Sequence, residues 1–204
     1  MELLSGIVSR AKELFITCGV KSVTMDDIAS DMGMSKKTLY QYIPSKAKLI
    51  ERMVQIHIKE EKKALADIRN KSTNAVEEMI LISQYVIQLL RMVSPNVVFE
   101  IKKYYWESWQ KMEKLNNEHI LEVIKQNLQW GIQQGHYRKD LNTDIIAQHY
   151  VTLSSSLVDH SVFPHNFLSM EKIFLETIRY HLRGITTSSG WEICQKQLTK
   201  ITNA

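Results

Sequence analysis

Between Asp31 and Glu51 the chain carries no acid, while Lys36, Lys37, Lys46 and Lys48 are all basic. Interleaved with them are a hydroxyl, Thr38, an amide, Gln41, and two phenols, Tyr40 and Tyr42. So many polar side chains cannot all be buried in one short segment. Lysines and the N–H groups at a helix N-terminus meet phosphates, whereas Lys37, Thr38, Gln41 and Tyr42 can reach base edges. A short helix carrying this set suits the major groove of duplex DNA. The plain alternative is a helical hairpin with an ordinary solvated face, since the same geometry occurs in proteins that bind no DNA.

The flanking residues supply what such a helix needs to be held in place. Thr24 is a good N-cap, and Asp27 three positions on can answer it. Met25, Ile28, Ala29 and Met32 then recur at helical spacing. Gly33 falls where a helix needs a left-handed stop, and Met34 can plug the corner. Ser35 caps the next helix, which buries Leu39 and Ile43. Pro44 ends it, and Ser45 can cap a third. Ahead of this corner, residues 2–18 form a helix, with Leu4, Ile7, Val8, Ala11, Leu14, Phe15 and Cys18 on one stripe and Gly19 at its end.

The ordered run Ala11, Leu14, Phe15, Gly19, Thr24, Met25, Ile28, Ala29, Gly33, Ser35, Lys36, Thr38, Leu39, Tyr40, Tyr42, Ser45, Lys46, Leu49 resembles the N-terminal signature of the tetracycline-repressor (TetR) family of bacterial transcriptional regulators. The resemblance covers about the first fifty residues. It departs at Lys37, where a small residue is common, and at Ile43-Pro44, where an aromatic usually precedes the next helix. It implies an all-α homodimer with a DNA-binding head and a variable ligand-binding body. On that reading Thr24, Ser35, Lys36, Tyr40 and Lys46 hold phosphates.

The length suits one compact domain or a small head with a larger body. The 204 residues are 44% hydrophobic and 24% charged, with a net charge of +4, so any affinity for nucleic acid must come from local clustering. Seven glycines and three prolines are few for an all-β chain. Cys18 and Cys194 make no metal or redox spacing and suit reduced thiols in the cytoplasm. The opening MELLSGIVSR is not expected to be a signal peptide, and no apolar run reaches the ~18 residues of a membrane span.

The body reads as a series of helices. One runs from Lys46 to about Arg69, roughly 35 Å at ~1.5 Å per residue. It has Leu49, Ile50, Met53, Val54, His57 and Leu65 near one stripe and the run KEEKK at 59–63 facing water. The next covers about 73–92 through Val76, Ile80, Tyr85, Ile87 and Leu90, and Ser94-Pro95 marks a restart. The aromatic-rich stretch that follows holds Phe99, Tyr104, Tyr105, Trp106 and Trp109, with a break near Asn116-Asn117. A helix then passes Ile120, Val123, Ile124, Leu128 and Trp130 before Gly135. The phrase at 131–147 also looks like a connection that many family members carry. Asn142 caps a helix with Ile146, Tyr150, Val151, Ser154, Leu157 and Val158 on its face. A further helix, about 169–183, carries Ile173, Phe174, Ile178, Leu182 and Ile185 on one side and Met170, Thr177 and His181 on another. Two helices so apolar predict a two-fold four-helix interface from residues near 143–160 and 169–185. In the tail, 187–204, Ser189-Gly190-Trp191-Glu192 has the form of a capping box, with Trp191, Cys194, Leu198 and Ile201 on one face.

No phosphate-binding glycine loop, nucleophile elbow or metal-binding histidine pair is present, and no metal or cofactor is expected. His149 and His160, with Asp159, are spaced too loosely to be a metal site. Tryptophans and tyrosines in a helical body are more often packing than pocket. The resemblance nevertheless makes Tyr85, Tyr105, Trp106, Trp109, Trp130 and Tyr150 candidate walls of an effector site, with Glu107 and His149 as polar orienters. A Glu107 buried against tryptophan faces would favour a cationic aromatic ligand. The expectation is an all-α protein of about nine or ten helices, with a helix-turn-helix head at 1–46 and a ligand-binding and dimerisation body at 47–204. Its expected role is that of a non-enzymatic, cytoplasmic, ligand-responsive homodimeric regulator, and a repressor, that binds a palindromic DNA operator. The alternative is an all-α interaction or small-molecule-binding protein that does not bind DNA.

Overall fold

The computed structural model describes residues 2–92, 95–157, 162 and 169–202. Among them are ten helices: α1 (Glu2–Cys18), α2 (Met25–Asp31), α3 (Lys36–Tyr42), α4 (Lys46–Lys71), α5 (Ala75–Met92), α6 (Pro95–Tyr104), α7 (Trp106–Gln133), α8 (Thr143–Ser156), α9 (Met170–Ile185) and α10 (Ser188–Thr202). The described β structure is one antiparallel bridge between Tyr137 and Thr186. No described helix is long and apolar enough to cross a membrane.

The chain divides into two compact units. The first is residues 1–61 with 92–116, and the second is 62–91 with 117–204. This differs from a head of 1–46 and a body of 47–204, for a physical reason. The α1 stripe Ile7, Val8, Ala11 and Phe15 shares one core with Met25, Ile28, Leu39 and Ile43, but also with Leu49, Ile50, Val54 and Ile58 of α4 and Val97 of α6. Three short helices bury too little apolar surface to stand alone, and α4 and α6 complete the core. Cys18 is exposed and lies outside that core.

In the second unit Val76, Met79 and Ile80 of α5, Ile124 and Leu128 of α7, Tyr150 of α8, and Phe174, Ile178 and Leu182 of α9 form a separate core around the fully buried Tyr137. Gly131 makes room for that ring, because a Cβ there would lie 2.0 Å from Tyr137 Cδ2. The turn 136–138 pairs with 185–187 through Arg138 N–H to Ile185 O and Thr187 N–H to His136 O, both 2.9 Å.

Three expectations about elements are corrected. The break lies at Tyr105, and α7 runs unbroken through Asn116 and Asn117. Asparagine disturbs a helix mainly by bonding its own backbone. Here Asn117 Oδ1 instead accepts the Ser155 hydroxyl at 3.2 Å, and Asn116 bonds to Glu61. Within KEEKK, Glu61 is buried, on the stripe that continues Val54 and Ile58. The tail helix is capped by Thr187, whose hydroxyl accepts the Gly190 N–H at 3.2 Å. Ser189 falls inside the helix. Ser94, Val158, Asp159 and His160, and the side chains of Leu198 and Ile201, lie outside the described residues.

Candidate functional site

The corner around α2 and α3 is held by local chemistry. The Thr24 hydroxyl accepts the Asp27 N–H at 3.1 Å, and Asp27 Oδ2 accepts the Thr24 N–H at 2.7 Å. The Thr24 hydroxyl, which also reaches Asp27 Oδ2, and then the Thr24 N–H hold the Asp27 carboxyl below its usual range. Gly33 takes φ +64, which lets the Met34 N–H turn back to Ala29 O at 2.9 Å. Ser35 Oγ accepts the Thr38 N–H at 3.1 Å and opens α3, and Leu39 is fully buried beneath it. Arg10, which the sequence reading passed over, ties α1 to the end of α2 with 2.5 and 2.9 Å bonds to Asp31. The pairing is tertiary, between residues 21 apart in the chain, and so leaves no local signal.

This corner presents the outer row of α3. Lys37, Tyr40, Gln41 and Tyr42 are exposed, the two tyrosines by 45% and 47%. The other candidates on this surface are already engaged. Thr24 Oγ1 also bonds Asp27 Oδ2 at 2.7 Å. Ser35 and Thr38 share a 2.8 Å hydroxyl contact, and Thr38 is half-buried. The Lys36 ammonium donates to the Asp26 carboxylate, which raises its pKa. Such an exposed pair contributes little to stability.

Lys46 stands apart from the expected row of phosphate contacts. Its ammonium donates to the carbonyls of Val20 and Val23 and lies 5.5 Å from the Phe15 ring centre. Burial lowers its pKa, against the opposing pull of Glu100 and Asp27. From the other side Glu100 Oε2 accepts the Lys21 N–H at 2.8 Å. The loop between α1 and α2 is thus stitched by α4 and α6. Two of the three ammonium donors are used, which leaves one.

The eight effector-site candidates are divided between the units. In the first, Tyr105 is half-buried, Trp106 (48%) and Glu107 are exposed, and Trp109 is buried with no partner for Nε1 among the described residues. Glu107 is therefore not the buried acid that a cationic aromatic ligand called for. In the second, Tyr85 is half-buried and His149 exposed. The Trp130 ring carries the Arg69 guanidinium at 3.8 Å. Tyr150 is buried edge-on to His181, with centroids 5.1 Å apart. Burial holds the His181 imidazole down at about 4.

The buried polar groups to which the sequence gave no role are Glu61, bonded to Asn116, in the first unit and His181 in the second. Glu61 had a signal, the 54–58–61 spacing, masked by the charges around it. Among the described residues no group of three or more His, Cys, Asp or Glu is arranged to hold a metal.

Known proteins share these features. Residues 7–53 match the model of bacterial regulatory proteins of the tetR family. The HTH-type transcriptional regulator YvaF of Bacillus subtilis (strain 168) is 30% identical over 139 residues, 68% of this chain and 72% of that protein. A transcriptional regulator from Cytophaga hutchinsonii superposes with a TM-score of 0.70 at 21% identity, over 92% of this chain and 100% of the other. The regulator FadR from Bacillus subtilis, solved in complex with stearoyl-CoA, does so with a TM-score of 0.65 at 17% identity, over 88% and 97%.

Proposed function

The chain belongs to the tetR family of bacterial regulatory proteins, and from that premise we propose that it is a homodimeric, effector-responsive repressor acting in the cytoplasm on a palindromic operator. The observation that carries this reading is the exposed row Lys37, Tyr40, Gln41 and Tyr42 on a helix capped at its start and packed on Leu39. Residues 1–46 supply the DNA contacts, and 47–204 supply effector binding and dimerisation. Lys37, Thr38, Gln41 and Tyr42 read bases. Thr24, Ser35, Lys36, Tyr40 and the spare N–H of Lys46 hold phosphates. For the engaged side chains this requires exchanging an internal partner for a phosphate, which costs little at an exposed pair such as Lys36 and Asp26.

Dimerisation through α8 and α9 is supported by Ile145, Leu153 and Tyr180, apolar side chains exposed by 54%, 39% and 78%. Isolated apolar residues on a surface need no explanation, but Ile145, His149 and Leu153 recur at four-residue steps along one helix. Half-sites lie one duplex turn or a multiple apart. An effector that binds the two head spacings unequally would change occupancy. The solved complex of FadR with stearoyl-CoA is the precedent for a small-molecule effector.

The test is an electrophoretic shift with the DNA flanking the chain's own gene, alongside sedimentation. A dimer with a sequence-specific shift is expected. Tyr42→Ala or Lys37→Ala should change the preference between sequences by ~1–3 kcal/mol at a contacted base. A monomer, or a shift indifferent to sequence and to both variants, would overturn the reading.

A further inference from the structure

Two helices of the first unit meet around an acid with one unpartnered oxygen. On α4, Val54, Ile58 and Glu61 follow one another at four- and three-residue steps, and all are buried, Glu61 to 7% exposure. On α7, the buried Trp109 (6% exposed) and the half-buried Met112 and Asn116 are spaced in the same way. Asn116 bonds to the Glu61 carboxyl across the two helices, and Met112 packs on the core that holds Val54 and Ile58. Yet Glu61 Oε2, Asn116 Oδ1 and Trp109 Nε1 have no hydrogen-bond partner among the described residues. Native structures leave few buried polar atoms in this state. Glu61 Oε2 and Asn116 Oδ1 belong to one bonded pair, Trp109 Nε1 lies two turns back along α7, roughly 10 Å away, and together they call for a component that spans that length.

Their chemistry says what it is. Glu61 Oε2 and Asn116 Oδ1 are acceptors, and Trp109 Nε1–H is a donor. A ligand filling them must bring at least two N–H or O–H donors to the acceptor pair. It must also bring charge. Burial alone drives the Glu61 carboxyl up to about 7, opposed only by Asn116, and no basic side chain stands among the causes. A buried carboxylate is stable when a cation is paired with it.

We propose that this Glu61–Asn116–Trp109 constellation is the effector-recognition site, and that its ligand is a small organic cation with N–H donors, an ammonium or amidinium on an apolar frame. The proposal rests on the reading of the chain as an effector-responsive regulator. It moves the charge-recognition role from Glu107, which is exposed, to Glu61. Stearoyl-CoA, the ligand of the structurally similar FadR, has a polyanionic head that this carboxylate would repel. As the cation seats, Glu61 gives up its proton to solvent, and the ammonium takes the proton's place against both oxygens. A carboxylate ligand would add a third acceptor to two. An alcohol brings a donor without charge, and a quaternary ammonium brings charge without a donor.

The test is isothermal titration of the DNA-free full chain at pH 7 with four probes on one tail: octylammonium, octyltrimethylammonium, octanol and octanoate. Octylammonium should bind at least tenfold more tightly than octanol or octanoate, with octyltrimethylammonium between. Its heats in two buffers of unlike ionisation enthalpy should show proton release. Glu61→Gln should abolish the preference for the charged probes. Asn116→Ala should weaken octylammonium severalfold and leave octyltrimethylammonium unchanged. Octanoate binding as well as octylammonium, a Glu61→Gln variant that binds like the parent, or no binding by any probe would overturn the proposal. Because no DNA is present, such a failure is separate from a failure of the regulator reading, which the ligand-free shift assay decides.

Discussion

Among the described residues two glutamates are buried, one in each unit, and the chain treats them oppositely. Glu78, 2% exposed, receives Arg69 at 2.7 Å and Asn127 Nδ2 at 2.8 Å. Asn127 also donates to Ala75 O, and the Tyr137 hydroxyl lies 3.0 Å from that carbonyl and 3.1 Å from Asn127 Oδ1. The Ala75 N–H is taken by Gln134. The ends of α4, α5 and α7 and the following turn are thereby closed into one saturated network. Glu61 has a single partner and an orphaned oxygen. A saturated network ties a fold together, whereas an unsaturated one is a cost that the fold carries for something else.

The sharpest way to break this contrast is to replace each acid by methionine, similar in volume and without charge. Glu78→Met strands Asn127 and the Arg69 guanidinium and should cost ~3–5 kcal/mol in urea unfolding, as breaking a buried pair does. Glu61→Met removes a group that was never fully paired, so it should be neutral or stabilising at pH 8. Equal losses at both positions would mean that Glu61 is structural after all.

A pH series sharpens the same contrast. Glu61 is raised from 4.5 to about 7. Its folded pKa therefore lies above its unfolded one, and its favourable contribution is complete below pH 4.5 and lost as pH rises through 7. At ~1.4 kcal/mol per unit the swing is up to about 3 kcal/mol, and Glu61→Met should remove it. His181 has the opposite sign. Burial lowers it from 6.5 to about 4, so its contribution is present above pH 6.5 and lost as pH falls through 4. His181→Phe should blunt the acid limb and leave the neutral one alone. An unfolding curve for Glu61→Met that parallels the parent from pH 4.5 to 8 would remove the case for a raised carboxyl.

How much of this was legible in the chain depended on distance along it. Thr24 with Asp27, Gly33, Ser35 and Pro44 act within four residues of themselves, so the corner and both its caps could be read directly, as could Asn142. The helical count and the α9 face Ile173–Phe174–Ile178–Leu182–Ile185 followed from periodicity. What could not be read was tertiary. The charges beside Glu61 outweighed its position on the stripe. Lys46 has the type and place of a phosphate ligand, and only the fold brings the Val20 and Val23 carbonyls within its reach. The aromatic residues were rightly marked as numerous, but type alone does not say that Trp106 is exposed and Trp109 buried.

The smallest effects compare the units through their caps. Thr24 opens α2 in one and Thr187 opens α10 in the other. Each loss of a threonine cap to alanine should cost ~1 kcal/mol in thermal melts, whereas Ser189→Ala, inside α10 and exposed, should fall within ~0.5 kcal/mol of the parent. With stability matched, DNA affinity becomes the discriminating measurement. Thr24→Ala loosens the corner that presents α3 and should weaken binding to every sequence alike, because the base-reading side chains are untouched. Thr187→Ala should leave the binding curve where it is, since its hydroxyl serves only the 135–136 turn and the start of α10. Equal loss of DNA affinity in the two variants would mean that the cap of α10 is energetically coupled to α3, and the separation of a recognition unit from a supporting one would then fail.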